Sequence, residues 1–160
     1  MNKVIYIFLS FFILINISNC GGYKPIFDSS NIKFKIADHS VAGDNKLSNQ
    51  IYSKLYNVSN KDNPSAQSVR ITIRVNKDKI ATVKDTTGKI LEYKINLNTI
   101  VDVKDYLTND IILKNNFTES ASYKVQDQHS ETVKLENKNL QNMVNKISQD
   151  ILIKISEALN

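Results

Sequence analysis

The stretch from Ser68 to Val75, SVRITIRV, has side chains that alternate strictly between apolar and polar. Successive side chains of a β-strand point to opposite faces of a sheet, so this period of two predicts a strand with one buried and one solvated face. An apolar sheet face must be covered by a second layer of secondary structure. We therefore look in the rest of the chain for more strands and for the helices that cover them.

Three further strands are predicted, one before this stretch and two after it. Residues 32–36 alternate between apolar side chains and lysines, which indicates a first strand. After Asp85-Thr86-Thr87-Gly88, a turn whose glycine can take positive φ, the chain returns as a strand over about residues 90–103. Asn109-Asp110 marks a second reversal. The fourth strand, about residues 112–125, is the most polar and is expected at an edge of the sheet.

Two amphipathic helices are predicted to cover the sheet. The first spans about residues 45–57, with Asp44 as its N-cap. The second begins between Ser130 and Asn137, and its stripe of Ile147, Ile151 and Ile155 is expected to pack on the inner strand faces: Val69, Ile71, Ile73, Tyr93 and Ile95. The predicted fold class is an α+β two-layer sandwich, β-α-β-β-β-α, with both helices on one face of a mostly antiparallel four-stranded sheet. The crossover through the first helix lets strand one run parallel to its neighbour.

The N-terminus has the layout of an export signal, with Lys3 followed by an apolar run from Val4 to Ile17. As a helix this run is about 21 Å long at 1.5 Å per residue. It is too short for a bilayer core of about 30 Å. Cys20, the only cysteine of the chain, follows where the run stops, and a thiol is the nucleophile that a diacylglyceryl transferase alkylates.

Ile17-Ser18-Asn19-Cys20 resembles a lipobox, with an aliphatic residue three positions before the cysteine and a small one two positions before it. Asn19 departs from the usual Gly, Ala or Ser. The sequence predicts a lipoprotein signal peptide at residues 1–19, fatty acylation such as palmitoylation of Cys20, a lipidated tether at 20–30 and a single domain at 31–160. No Asp follows the cysteine, so the expected location is the periplasmic side of the outer membrane. The alternative is a buried free cysteine behind an ordinary signal peptide.

Enzyme chemistry is not expected from this sequence. His39 and His129 have no cysteine or close acidic cluster beside them, so neither a metal nor another cofactor is predicted. Four glycines in 160 residues do not supply a phosphate loop or a dinucleotide-binding pattern. The neighbourhoods Asp38-His39-Ser40 and His129-Ser130-Glu131 lack an oxyanion motif, and both histidines are interpreted as surface residues. We expect a protein with no catalytic residues.

The formal net charge is +5, and several basic residues are predicted on exposed strand faces and turns: Arg70, Arg74, Lys84, Lys89, Lys94 and Lys124. Ammonium and guanidinium groups bind phosphate through charge-assisted hydrogen bonds. In a protein of the outer membrane, the corresponding anion is a phosphorylated glycolipid rather than a nucleic acid. The alternative is that these side chains only solvate the surface.

Several short motifs resemble one family. Cys20-Gly21-Gly22-Tyr23-Lys24-Pro25 resembles the opening of the mature lipopolysaccharide-assembly lipoproteins, the LptE-like family. Residues 81–93, ATVKDTTGKILEY, are similar to the central hairpin of that family, including Glu-Tyr after the turn. Lys46-Leu47-Ser48, Ala121-Ser122-Tyr123 and the final helix follow in matching order, so the resemblance covers nearly the whole chain.

The resemblance implies a domain that plugs a large outer-membrane β-barrel, LptD, with which it forms the translocon that inserts lipopolysaccharide into the outer leaflet. It also implies lipopolysaccharide binding through basic residues near strand turns, which by position are Lys84, Lys89 and Lys124. This chain lacks the arginine at the hairpin tip. A hypothesis of a different class is an outer-membrane lipoprotein that acts as a structural or assembly module without a lipid ligand.

Overall fold

The computed structural model describes residues 32–60 and 63–159. The predicted order β-α-β-β-β-α and the fold class, an α+β two-layer sandwich, are confirmed there. The predicted signal peptide and the whole predicted tether, including Cys20, lie outside the described residues. The elements are β1 (Phe34–Gly43), α1 (Asn45–Val58), β2 (Gln67–Lys84), β3 (Ile90–Asp105), β4 (Ile111–Lys124) and α2 (His129–Ala158).

The four strands form one sheet in the order β1-β2-β3-β4. β1 runs parallel to β2, whereas β2, β3 and β4 are antiparallel neighbours. Parallel neighbours need a crossover connection, which α1 provides. The predictions that the first strand is parallel to its neighbour and that the fourth lies at an edge are both confirmed.

β1 extends beyond the predicted segment, to Gly43. The predicted segment stops at Ile36 because a bulge changes the alternation of side chains after that residue. Ile36 pairs with Val69 and Asp38 pairs with Arg70, so Ala37 is an additional residue without a partner across the ladder. After the bulge it is His39 that turns toward α1. Its ring stacks on Tyr52 with 3.7 Å between the centroids. The apolar alternation that ends at Ile36 therefore continues in a shifted register that the sequence does not reveal.

Gly43 ends β1 with a φ of 77°, a left-handed conformation that glycine adopts readily. A Cβ at this position would collide with the backbone carbonyl of Val75. The close approach allows the backbone N–H of Asp44 to donate to that carbonyl at 2.7 Å. The Asp44 carboxylate in turn accepts a hydrogen bond from the backbone N–H of Leu47 at 3.1 Å, which confirms it as the N-cap of α1.

The core lies between the sheet and the two helices. The odd-numbered residues of β2 from Val69 to Val75 are fully buried, and so are Ile95 and Leu97 of β3. The side chains of α2 in the same apolar cluster include Ile147, Ile151 and Ile155, as predicted. Tyr93 also packs against this cluster, at its margin, and is only partly buried.

The β2–β3 hairpin projects past the apolar core. Every residue of β2 from Asn76 to Lys84 is exposed, although the ladder with β3 continues to the pair Lys84–Ile90. The overhang carries the turn between the two strands away from the packed helices. A functional surface can therefore form on the hairpin without disturbing the core.

Candidate functional site

The hairpin tip, residues 84–89, is an ordered turn built around Asp85. Its Oδ1 accepts hydrogen bonds from the backbone N–H groups of Thr87 and Lys89 at 2.8 and 2.9 Å, and from the Thr87 hydroxyl at 2.7 Å. The hydroxyl bond from Thr87, supported by the backbone bonds, lowers the pKa of Asp85 from its ordinary value. Gly88 has a φ of 87°, as predicted for this turn. The ionised carboxylate fixes the backbone that presents the two flanking lysines.

The three predicted lysines lie at the same end of the sheet but not on the same face. Lys84 ends β2, and Lys89 borders a cleft on the side of the helices. Tyr123 turns toward α2, so Lys124, the next residue along β4, lies on the uncovered face of the sheet. There Lys124 is directly opposite Glu92 of β3. Lys84 and Lys89 therefore lie on either side of the hairpin turn, whereas Lys124 lies on the face of the sheet opposite to the cleft.

A cleft of about 370 Å³ lies between the hairpin and the first turns of α2. The N-cap residue of α2, Gln128, makes no hydrogen bond through its side chain to the first turn of the helix. The N-terminus of a helix carries partial positive charge, which at this end of α2 is accompanied by the acidic side chains of Asp127 and Glu131. The walls mix cationic, anionic, aromatic and aliphatic side chains, among them Lys79, Lys89, Asp127, Glu136, Tyr93, Ile90, His129 and Val133.

Lys79 is the residue of this site that the sequence analysis missed. Its Nζ lies 2.6 Å from Oε2 of Glu136 and 4.2 Å from the ring centroid of Tyr93. The hydroxyl of Tyr123 donates to the same carboxylate oxygen at 2.8 Å. The sequence could have indicated this position. The odd-numbered residues of β2 face the helices, and continuing this alternation past Val75 places Lys79 on the same face.

This network attaches the overhanging hairpin to α2. Burial alone would raise the pKa of Glu136, but the hydrogen bonds from Lys79 and Tyr123 outweigh it and the pKa is lowered. Desolvation alone would lower the pKa of Lys79, but its hydrogen bonds to Glu136 and Tyr123 outweigh that effect and the pKa is raised. Both groups are therefore charged at neutral pH. The cation of Lys79 is used in holding the hairpin, whereas Lys89 lies at the outer wall of the cleft.

Exposed aliphatic side chains lie on both faces of the sheet in this region. Ile80, Val83 and Leu91 lie exposed on the hairpin, and Val133 lies exposed on α2. The ladder between β2 and β3 is irregular on both sides of Val83. A surface that combines ammonium groups with exposed aliphatic side chains is chemically suited to an amphiphile that carries phosphate and acyl chains.

His39 and His129 are both exposed, as the sequence analysis expected. Among residues 32–60 and 63–159, no cluster of three or more His, Cys, Asp or Glu side chains could hold a metal ion.

No helix within the described part of the chain is long and apolar enough to cross a membrane.

Comparison with known protein families gives no match, and comparison with curated proteins gives none either. Solved structures of similar fold are found. One, from Caulobacter crescentus CB15 and described as a lipoprotein, has a TM-score of 0.59 at 12% identity, over 82% of this chain and 93% of that one. Uncharacterized lipoprotein B from Nitrosomonas europaea has a TM-score of 0.57 at 14% identity, over 84% and 90%.

A minor lipoprotein from Acinetobacter baumannii has a TM-score of 0.50 at 16% identity, over 75% of this chain and 90% of that one. At such identities the similarity shows a shared fold. The fold of this chain is therefore one that proteins described as bacterial lipoproteins also adopt.

Proposed function

We propose that this chain is a non-enzymatic outer-membrane lipoprotein, anchored through lipid on Cys20, that plugs an LptD-like β-barrel and takes part in lipopolysaccharide transport and insertion. The main observation that supports this proposal is the arrangement of side chains at the hairpin tip. Lys84 and Lys89 flank an ordered turn beside exposed aliphatic side chains and a cleft. Lipopolysaccharide presents phosphates and acyl chains together, so a ligand of this kind uses both parts of the surface.

Two further observations support the proposal. Residues 81–93, which form this hairpin, are also the segment of sharpest resemblance to the LptE-like lipoproteins. Proteins described as lipoproteins share the fold, which agrees with a lipid anchor at Cys20.

The face of the sheet that the helices leave uncovered favours a partner that surrounds the domain with a polar, hydrated surface. Along β4 this face carries exposed polar side chains: Asn116, Thr118, Ser120 and Ser122. Placing such a row of polar side chains against acyl chains costs free energy, because the side chains lose their hydrogen bonds to water. The lumen of a large membrane barrel is instead lined by polar groups and water. A β-barrel that surrounds the domain thus fits this face better than direct contact with the bilayer.

A photo-cross-linkable residue at Lys94 is expected to capture an outer-membrane protein several times larger than this chain. Lys94 lies on the uncovered face, across from Ser122. It is a better probe than Arg70, which already bonds Asp38 and Asn109. The matched control carries the same probe in a Cys20→Ser background, where loss of the anchor should reduce capture. Capture of only periplasmic species or of a second copy would favour the assembly-module hypothesis.

Changing Lys84, Lys89 and Lys124 together to Glu is expected to weaken lipopolysaccharide binding by about tenfold or more, because attraction to phosphate becomes repulsion. Affinity of the purified domain is measured across a salt series, and wild-type binding should weaken as salt screens the charges. The control changes Lys104, Lys114 and Lys138 to Glu, which alters net charge equally but away from the hairpin. Equal affinity of wild type and hairpin variant, or wild-type binding that ignores salt, would exclude these phosphate contacts.

A further inference from the structure

The loop between β3 and β4 lies at the other end of the sheet and displays apolar side chains to solvent. Leu107 is 82% exposed and Ile111, the first residue of β4, is 62% exposed. The ring of Tyr106 is exposed beside them. Isolated exposed apolar residues are common on proteins, but three large ones at one tip form a patch that suits an apolar contact.

Polar bonds hold this loop in place although its tip is apolar. Oδ1 of Asp105 accepts from the backbone N–H groups of Leu107 and Thr108 at 2.8 and 2.9 Å. Asn109, with a φ of 62°, donates its backbone N–H to the carbonyl of Asp105 at 3.1 Å. The Asn109 side chain accepts from Arg70 at 3.1 Å. The exposure of Leu107 is therefore built into the loop, and a preorganised loop loses little conformational freedom on binding.

The chain enters the domain at this same end. The backbone N–H of Gln67 donates to the carbonyl of Lys33 at 2.8 Å, and the Gln67 side-chain amide donates to Asp105 at 2.8 Å. Two hydrogen bonds thus connect the start of the domain to the loop. Cys20 precedes Ile32 by twelve residues, which reach about 40 Å at most at about 3.3 Å per residue. A lipid on Cys20 therefore holds this end of the domain within about 40 Å of the membrane surface.

We propose that, before a barrel encloses the domain, Leu107, Ile111 and Tyr106 insert into the lipid surface that holds the acyl chains of Cys20, so that the domain stands on its β3–β4 loop. This inference rests on the proposed lipid anchor. Tethering raises the effective concentration of the loop at the surface, so a small apolar patch is sufficient. Tyr106 combines an apolar ring with a hydroxyl, which favours the membrane–water interface. The guanidinium of Arg70 lies 5.4 Å from that ring centroid and is paired with Asp38 at 2.8 Å.

The orientation also separates the two ends of the molecule. The backbone N–H of Tyr106 donates to the carbonyl of Ser68 at 2.9 Å, and Lys84 lies sixteen residues further along β2. At about 3.3 Å per residue the strand spans about 50 Å between them. In this state the lysine-bearing tip is held about 50 Å from the anchoring lipid, on the periplasmic side, before the proposed barrel encloses the domain.

A single tryptophan reports the insertion, because the chain contains none. The mature chain is coupled through Cys20, its only cysteine, to a maleimide phospholipid in vesicles of phosphatidylethanolamine and phosphatidylglycerol with brominated acyl chains. Leu107→Trp should be quenched at least about twofold more strongly than Ser120→Trp, a control at an exposed position on the uncovered face of β4. Circular dichroism of each variant verifies that the domain is folded.

Three outcomes would overturn the inference. Equal quenching of the two tryptophans would show that the domain lies flat, and absence of quenching at both would show that the loop stays in water. Shielding of position 107 only when the cross-linked barrel protein is added would identify a protein contact instead. Chemical coupling makes the assay independent of acylation in cells, so failure of the proposed anchor is detected separately, by fatty-acid labelling of Cys20.

Discussion

Ile151→Asp is expected to unfold the domain. Ile151 has no exposed surface and belongs to the apolar cluster between α2 and the sheet. A carboxylate there would lose its hydration without a cation or hydrogen-bond donor to replace it. The expected loss is about 4 kcal/mol or more, comparable with the whole stability of a marginal domain of about 5–15 kcal/mol.

The control for this prediction lies on the same helix. Ile153 is 40% exposed, so Ile153→Asp introduces the same charge where water can solvate it and should change the free energy of unfolding by about 1 kcal/mol or less. Urea unfolding followed by circular dichroism measures both variants. A folded Ile151→Asp protein that unfolds at the same urea concentration as wild type would show that this stripe of α2 does not form the core.

Cys20→Ser is expected to abolish acylation and to leave an unprocessed precursor. A serine hydroxyl lacks the nucleophilicity of a thiolate, and this chain has no second cysteine that could replace it. Cells are labelled with an alkyne fatty acid, and label and size of the protein are compared between wild type and variant. The membrane-bound fraction should become extractable, because the acyl chains supply the anchor.

Asn19 provides the control for the anchor prediction, since it departs from the usual lipobox. Asn19→Gly restores the common residue before the cysteine and should keep or increase the label. Equal label on wild type and Cys20→Ser would contradict the assignment. An unlabelled wild type that is nevertheless shortened would identify an ordinary signal peptide followed by a free cysteine.

Local patterns in the sequence determined the element order and the fold class. The alternation of residues 69–75 and the helical stripe of α2 each identify an element and its buried face, because the side-chain period belongs to the element itself. The N-cap Asp44 and the turn at Gly88 were equally predictable, since each depends on neighbours a few residues away. The positions of Lys84 and Lys89 beside the hairpin turn followed from the same local information.

Only the tertiary structure decided which groups meet. The bulge at Ala37 and the pairing of Lys79 with Glu136 join segments far apart in the chain, and no local period encodes their register. The same holds for the separation of Lys124 from Lys89 by the sheet, and for the hydrogen bond between Gln67 and Asp105 that brings the β3–β4 loop to the start of the domain. The sequence pattern of one strand or helix shows which of its side chains are buried. A site, however, depends on how several elements pack together. A shift of one residue in the pairing of two strands turns every side chain of the shifted strand to the other face of the sheet.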